Sequence, residues 1–109
     1  MEQSNIVKII VFVPESHANI VREEMAKAGG GKIGNYTHCT FSSKGIGRFI
    51  PNPGANPAIG EVGKLEEVIE ERIEITCERK FIEDVIEAMK EVHPYEEVAF
   101  DIYPLESYN

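Results

Sequence analysis

Few side chains in this 109-residue sequence could do chemistry, and none stands in an arrangement that dictates a reaction. Nucleophilic catalysis needs a Cys or Ser beside an oriented base. Cys39 follows His38 directly, but neighbours on an extended strand point to opposite faces, so the two do not meet. Cys39 and Cys77 instead fall in phase with aliphatic residues and read as two small buried hydrophobes. A divalent metal would draw on His38, His93 and Glu96, with Glu97 beside them, yet no two histidines stand at the close spacing that builds a site on one element. His17, next to Ser16, reads as a solvated first-turn residue. The carboxylates Glu66, Glu67, Glu70, Glu71 and Glu74 read as a solvated strand face, because acid–base pairs need a cleft that drives their pKa values apart. The remaining candidate is Ser43-Lys44-Gly45-Ile46-Gly47-Arg48. Glycines between two cations let the backbone approach an anion, although this is no Walker loop and opens no helix.

The distribution of charge strengthens that last candidate. The chain carries a net charge of −8, but residues 1–60 hold six basic and four acidic side chains, and residues 61–109 hold five and fifteen. No Asp or Glu occurs from Met25 to Gly60, a stretch that contains Lys27, Lys32, Lys44, Arg48 and eight of the nine glycines. Such a stretch is either a solvated loop system or a surface turned towards an anion or an acidic partner. The overall charge argues against nucleic acid, whose phosphates demand clustered Lys and Arg. The longest apolar run, Ile9-Ile10-Val11-Phe12-Val13, is far short of the roughly 20 residues of a membrane span. Two cysteines make no disulfide framework. With no signal-peptide pattern at the start, the expected location is the cytoplasm.

Hydrophobic periodicity supplies the elements. Ile6–Val13 is β-branched almost throughout and reads as a central strand ended by Pro14. Ser16 is the expected N-cap of a helix whose apolar face is Ile20, Val21, Met25 and Ala28, stopped by Gly29-Gly30-Gly31. Tyr36–Ser43 alternates as a strand, residues 44–47 read as a turn, and Arg48-Phe49-Ile50 reads as a short return strand. Residues 52–60, with Pro53, Gly54 and Pro57, form a loop. Glu67–Glu78 alternates again, with Ile69, Ile73, Ile75 and Cys77 inward and Arg72, Glu74 and Thr76 outward. A second helix carries Phe81, Ile82, Val85, Ile86 and Met89 on one face. Pro94 closes it, and Glu97–Tyr103 alternates as the last strand.

The order β-α-β-β-α-β in one domain, residues 1–109, is the ferredoxin-like sandwich. This α+β fold has a four-stranded antiparallel sheet, two helices on one face and, here, an elaborated loop between the second and third strands. Two helices cover one face only, so the other needs polar residues or a partner. Tyr36, His38, Thr40, Arg72, Glu74 and Thr76 are expected there.

Several motifs are familiar together. Residues 34–41 (Gly-Asn-Tyr-Thr-His-Cys-Thr-Phe), Gly45-Ile46-Gly47-Arg48-Phe49-Ile50-Pro51, Pro57-Ala58-Ile59-Gly60, Arg72-Ile73-Glu74 and His93-Pro94-Tyr95-Glu96-Glu97 resemble the YqfO-type domain of the Ngg-interacting-factor-like family, in its free-standing form. The segment His93-Pro94-Tyr95-Glu96 is also similar to one at the last strand of CutA-type divalent-ion tolerance proteins. The resemblance covers about residues 6–105 and implies a CutA- and PII-like sandwich, often trimeric. Full-length family members carry a dinuclear metal site in flanking lobes, whose His- and Glu-bearing segments are absent from these residues, so no hydrolase activity is carried over. The expectation is a small oligomeric binding or sensing module that is not an enzyme. Its candidate ligand residues are Tyr36, His38, Lys44, Gly45, Gly47, Arg48, His93, Tyr95 and Glu96. Its partners are further copies of itself, a trimer being favoured, and a small anion or a protein; the alternative is a CutA-like divalent-metal protein. The segment 44–48 is expected to project as the tip of the middle hairpin and to line the binding surface.

Overall fold

A computed structural model describes residues 5–106; residues 1–4 and 107–109 of the expected domain lie outside the described residues. The chain runs β1 (Ile6–Pro14), α1 (Ala18–Lys27), β2 (Phe41–Phe49), β3 (Glu66–Glu78), α2 (Ile82–Val92) and β4 (Phe100–Pro104), with single 3-10 turns at Glu15–His17 and Arg79–Phe81. The four strands form one antiparallel sheet in the order β2-β3-β1-β4. This is the expected ferredoxin-like arrangement. The β-branched run of β1 occupies a central position, paired with β3 along its whole length and with β4 from Val7 to Val11.

The register divides the sheet into two faces. Val7, Ile9, Val11 and Val13 of β1 and Ile73, Ile75 and Cys77 of β3 pack against Val21 and Met25 of α1 and Val85 and Met89 of α2. Burying each large aliphatic side chain contributes about 1.5–3 kcal/mol, so this cluster holds both helices to one face. The other face carries Lys8, Ile10 and Phe12 of β1 beside Thr76, Glu74 and Arg72 of β3. Ile10 is fully buried there, with Glu74 and Asp101 as its register partners. Lys8 bonds Glu74 at 3.1 Å, and that bond holds the Glu74 carboxyl below its ordinary pKa.

Several local expectations are corrected. Residues 44–47 are not a turn and 48–50 are not a return strand, because β2 runs unbroken from Phe41 to Phe49 against Glu66–Glu74. The thirteen-residue β3 offers a partner along that whole length, and the chain reverses later, within residues 50–65, where Pro51, Pro53, Gly54 and Gly63 fall. Lys44 to Arg48 therefore lie within an edge strand and do not project from a hairpin tip.

Residues 36–40 do not extend that strand. Ile33 and Tyr36 form a small bridge, and His38 takes a left-handed φ of 60° that breaks extended geometry. Tyr36, His38 and Thr40 consequently stand outside the sheet, and Cys39 is half-buried outside the core.

Ser16 does not cap α1: its hydroxyl meets His17 Nδ1 at 2.8 Å, and no side-chain cap bond is made. The buried face of α1 is Ala18, Val21 and Met25, with Ile20 exposed. Finally, β4 starts at Phe100 rather than Glu97, and Ile69 is exposed, outside the core cluster to which β3 contributes Ile73, Ile75 and Cys77.

Candidate functional site

Pro94 shapes the site. It holds His93 in extended backbone (φ −77°, ψ 133°) at the end of α2, so the chain leaves the helix and crosses the end of β1. The His93 ring fastens this crossing. Its Nε2–H donates to the Phe12 carbonyl at 2.8 Å, and its Nδ1 accepts the Tyr95 amide N–H at 3.1 Å. Both nitrogens are thus engaged by a neutral imidazole. Burial pushes the ring's pKa below the usual histidine value, an effect opposed by the Phe12 bond and the Glu70 carboxylate and reinforced by His17.

Tyr95 reaches from this crossing to the sheet. Its ring meets Phe49 edge-on at a centroid distance of 5.7 Å, and its hydroxyl donates to Glu70 Oε2 at 2.7 Å. Burial first, and then the Glu70 carboxylate, raise the phenol's pKa far above the ordinary value. Glu70 is only 8% exposed, and its carboxylate lies over Gly47, where any Cβ would overlap it. Gly45 and Gly47 face this side of the sheet, while Lys44 and Arg48 face the other. Gly47 thus acts by what it lacks: its missing side chain leaves room over β2 for the carboxylate.

The opposite wall comes from residues 50–59, tied across by the Asn56 N–H, which donates to Glu96 Oε2 at 3.0 Å. Between the walls lies a cleft of about 530 Å³, lined chiefly by Phe49, Pro51, Pro57, Ala99 and Tyr95, with Glu70 in its lining. That size and mixture, apolar walls with a few polar groups, is typical of small-molecule sites. A smaller hollow of about 330 Å³ adjoins it on the sheet face and shares Phe12, Gly47 and Glu70.

The structure gathers some of the sequence candidates and scatters others. Gly47, Arg48, Tyr95 and Glu96 line the cleft. His93 stands behind Tyr95, and Lys44 and Gly45 line the adjoining hollow. Tyr36 and His38 are elsewhere: Tyr36 is exposed, and His38 Nε2 lies 3.6 Å from Glu23 on α1. Both cations of the 44–48 segment are engaged by carboxylates, Lys44 by Glu15 at 2.9 Å and Arg48 by Glu67 at 3.3 Å. The three metal candidates His38, His93 and Glu96 do not converge, and no group of three or more His, Cys, Asp or Glu among the described residues is placed to hold a metal ion. Glu70 is the residue that sequence reasoning missed. It sits in a run of glutamates expected to be a solvated face, but Glu71 is bonded by Arg22 and Glu74 by Lys8, and only the register, which sets Glu70 opposite Gly45, distinguishes it from them.

No family model matches the chain. The Bacillus subtilis protein named GTP cyclohydrolase 1 type 2 homolog is 52% identical over 99 residues, which are 91% of this chain and 26% of that protein. The crystal structure of a Bacillus cereus protein related to NIF3 superposes with a TM-score of 0.83 at 47% identity, over 98% of this chain and 27% of that one. The chain thus spans about a quarter of the length of the curated relatives it matches. The periplasmic divalent cation tolerance protein CutA from Archaeoglobus fulgidus matches in fold, with a TM-score of 0.67 at 14% identity over 95% of this chain and 87% of its own. The chain is therefore similar to one domain-length segment of proteins named GTP cyclohydrolase 1 type 2 homolog or related to NIF3, and it has the fold of CutA.

Proposed function

We propose that this chain is a ligand-binding or sensing module, not itself a catalyst, that assembles with further copies of itself and takes its ligand in the cleft over Glu70 and Tyr95. The observation that carries the reading is the buried Glu70 carboxylate, held by the half-buried Tyr95 hydroxyl, opening onto a cleft with largely apolar walls. Polar groups held dry at the end of an apolar cavity serve recognition, because a ligand that fails to pair with them is rejected. Assembly is supported by the β2 edge and by the exposure of the register partners Ile46 and Ile69 on one face of it. Three copies is the number the resemblance implies.

The cyclohydrolase name belongs to relatives about three and a half times as long, and an active site in them need not involve this segment. A divalent-metal role is the second reading, favoured by the likeness in fold to a protein named for divalent cation tolerance. In that case a metal at His93 must displace either the Phe12 or the Tyr95 bond.

A thermal-shift panel of divalent metals, nucleotides and small organic ions, run beside sedimentation equilibrium, tests these readings. A saturable rise in Tm with an organic ligand, in a self-associated species, is the expected outcome. A rise with copper or zinc alone, abolished in His93→Ala, would favour the metal reading. A monomer at all micromolar concentrations would end the assembly claim.

A further inference from the structure

The charges around the cleft are not those that favour an anion. Glu70, Glu96 and Glu97 line it, and the side chain of Arg48, the one cationic residue in its lining, faces the other side of the sheet, where Glu67 holds it. Glu70 is nine-tenths buried, and no Lys or Arg pairs with it among the ion pairs of the described residues; its hydrogen bond comes from the neutral Tyr95 hydroxyl. That bond occupies Oε2, and Oε1 lies over Gly47. A carboxylate left without a cation in a dry setting retains most of its capacity to accept a charged N–H donor. The surrounding walls, Phe49, Pro51, Pro57 and Ala99, offer apolar surface and no acceptor side chains.

From this we infer that the cleft takes a small primary amine with an apolar body, its ammonium group donating to Glu70 and its hydrocarbon part lying between residues 51–58 and 95–99. The inference rests on the reading of the cleft as a ligand site and specifies its chemistry. A free small molecule is the occupant, since a cleft of about 530 Å³ holds one ligand of that class, and the Asn56–Glu96 tie closes across the cleft. Glu96 and Glu97 at the rim add attraction for a cation. Gly47 secures the arrangement, because a side chain there would push the carboxylate out of position.

The test uses three chemicals of one shape and three charges: phenethylamine, 2-phenylethanol and 3-phenylpropionate. Each is titrated at neutral pH into the ¹⁵N-labelled protein, and amide shifts are followed at residues 47–58 and 95–99. The ammonium compound is expected to give saturable shifts there, with affinity about tenfold above the alcohol and no saturation by the carboxylate. Glu70→Gln keeps an acceptor for Tyr95 and is expected to erase the preference for the amine over the alcohol. Equal or tighter binding of 3-phenylpropionate in the cleft would overturn the amine assignment while leaving the cleft a ligand site. Shifts by none of the three at these residues would overturn the assignment together with the cleft. Should Glu70→Gln not fold, the order of the three compounds on the wild-type chain decides alone.

Discussion

The Tyr95 hydroxyl and the Glu70 carboxylate, 25 residues apart in sequence, meet at 2.7 Å across the end of the sheet. This contact joins the crossing that follows α2 to β3, the longest strand. Removing the hydroxyl in Tyr95→Phe leaves a nearly buried carboxylate without its donor, which costs about 1–3 kcal/mol. Urea unfolding is expected to show a lower midpoint with an unchanged slope. An unchanged midpoint would mean that the pair contributes nothing to stability.

Gly45 and Gly47 should respond oppositely to a methyl group. A Cβ at position 47 meets the Glu70 carboxylate, whereas one at position 45 meets nothing within 4 Å. Gly47→Ala is expected to lower Tm by several degrees, because Glu70 must leave its place against Tyr95, and Gly45→Ala to leave Tm nearly unaltered. Thermal unfolding followed by circular dichroism compares the two. Equal effects would show that Glu70 does not depend on the space above β2.

His93 gives stability a predictable pH dependence. Burial is the main cause of its lowered pKa, so between the folded value and the ordinary value of about 6.5 the unfolded chain binds a proton that the folded chain does not. More protons on the unfolded side mean that stability rises with pH. The contribution is therefore complete above the unfolded value and is lost as pH falls below it. Urea midpoints of the wild type should decline through this range more steeply than those of His93→Asn. Parallel declines would place the pH dependence in other groups.

Assembly should depend on the exposed limb. Ile46 and Ile69 are register partners, and each is more than half exposed. Ile46→Lys is expected to shift sedimentation towards the monomer while the circular dichroism spectrum stays unchanged, because the residue lies outside the core. An unchanged sedimenting mass would move the interface elsewhere.

Much of the fold was legible because its signals are local. The β-branched run of β1 and the four-residue spacing of Val85 and Met89 announce their partners' side of the sheet, and both are in the core. The edge strand was harder to read. Gly45 and Gly47 look like turn residues, and nothing in their immediate sequence reveals that β3 pairs with them or that Glu70 needs the space Gly47 leaves. The same non-local pairing hid Glu70 among its neighbours and assigned Lys44 and Arg48 to Glu15 and Glu67. His93, Tyr95 and Glu96 were singled out from one short motif, and the structure gives each a separate role: the ring anchors the crossing, the phenol reaches Glu70, and the Glu96 carboxylate accepts from residues 50–59 through the Asn56 amide.

The central claim is that the cleft over Glu70 and Tyr95 is where this module binds. Crystals of the wild-type chain soaked with a charge-balanced library of small organic fragments test it most directly. Bound fragments are expected to concentrate between residues 51–58 and 95–99, with a polar atom within hydrogen-bond distance of Glu70 or Tyr95. Fragments bound reproducibly at other surfaces, with this cleft empty and unobstructed by lattice neighbours, would contradict it.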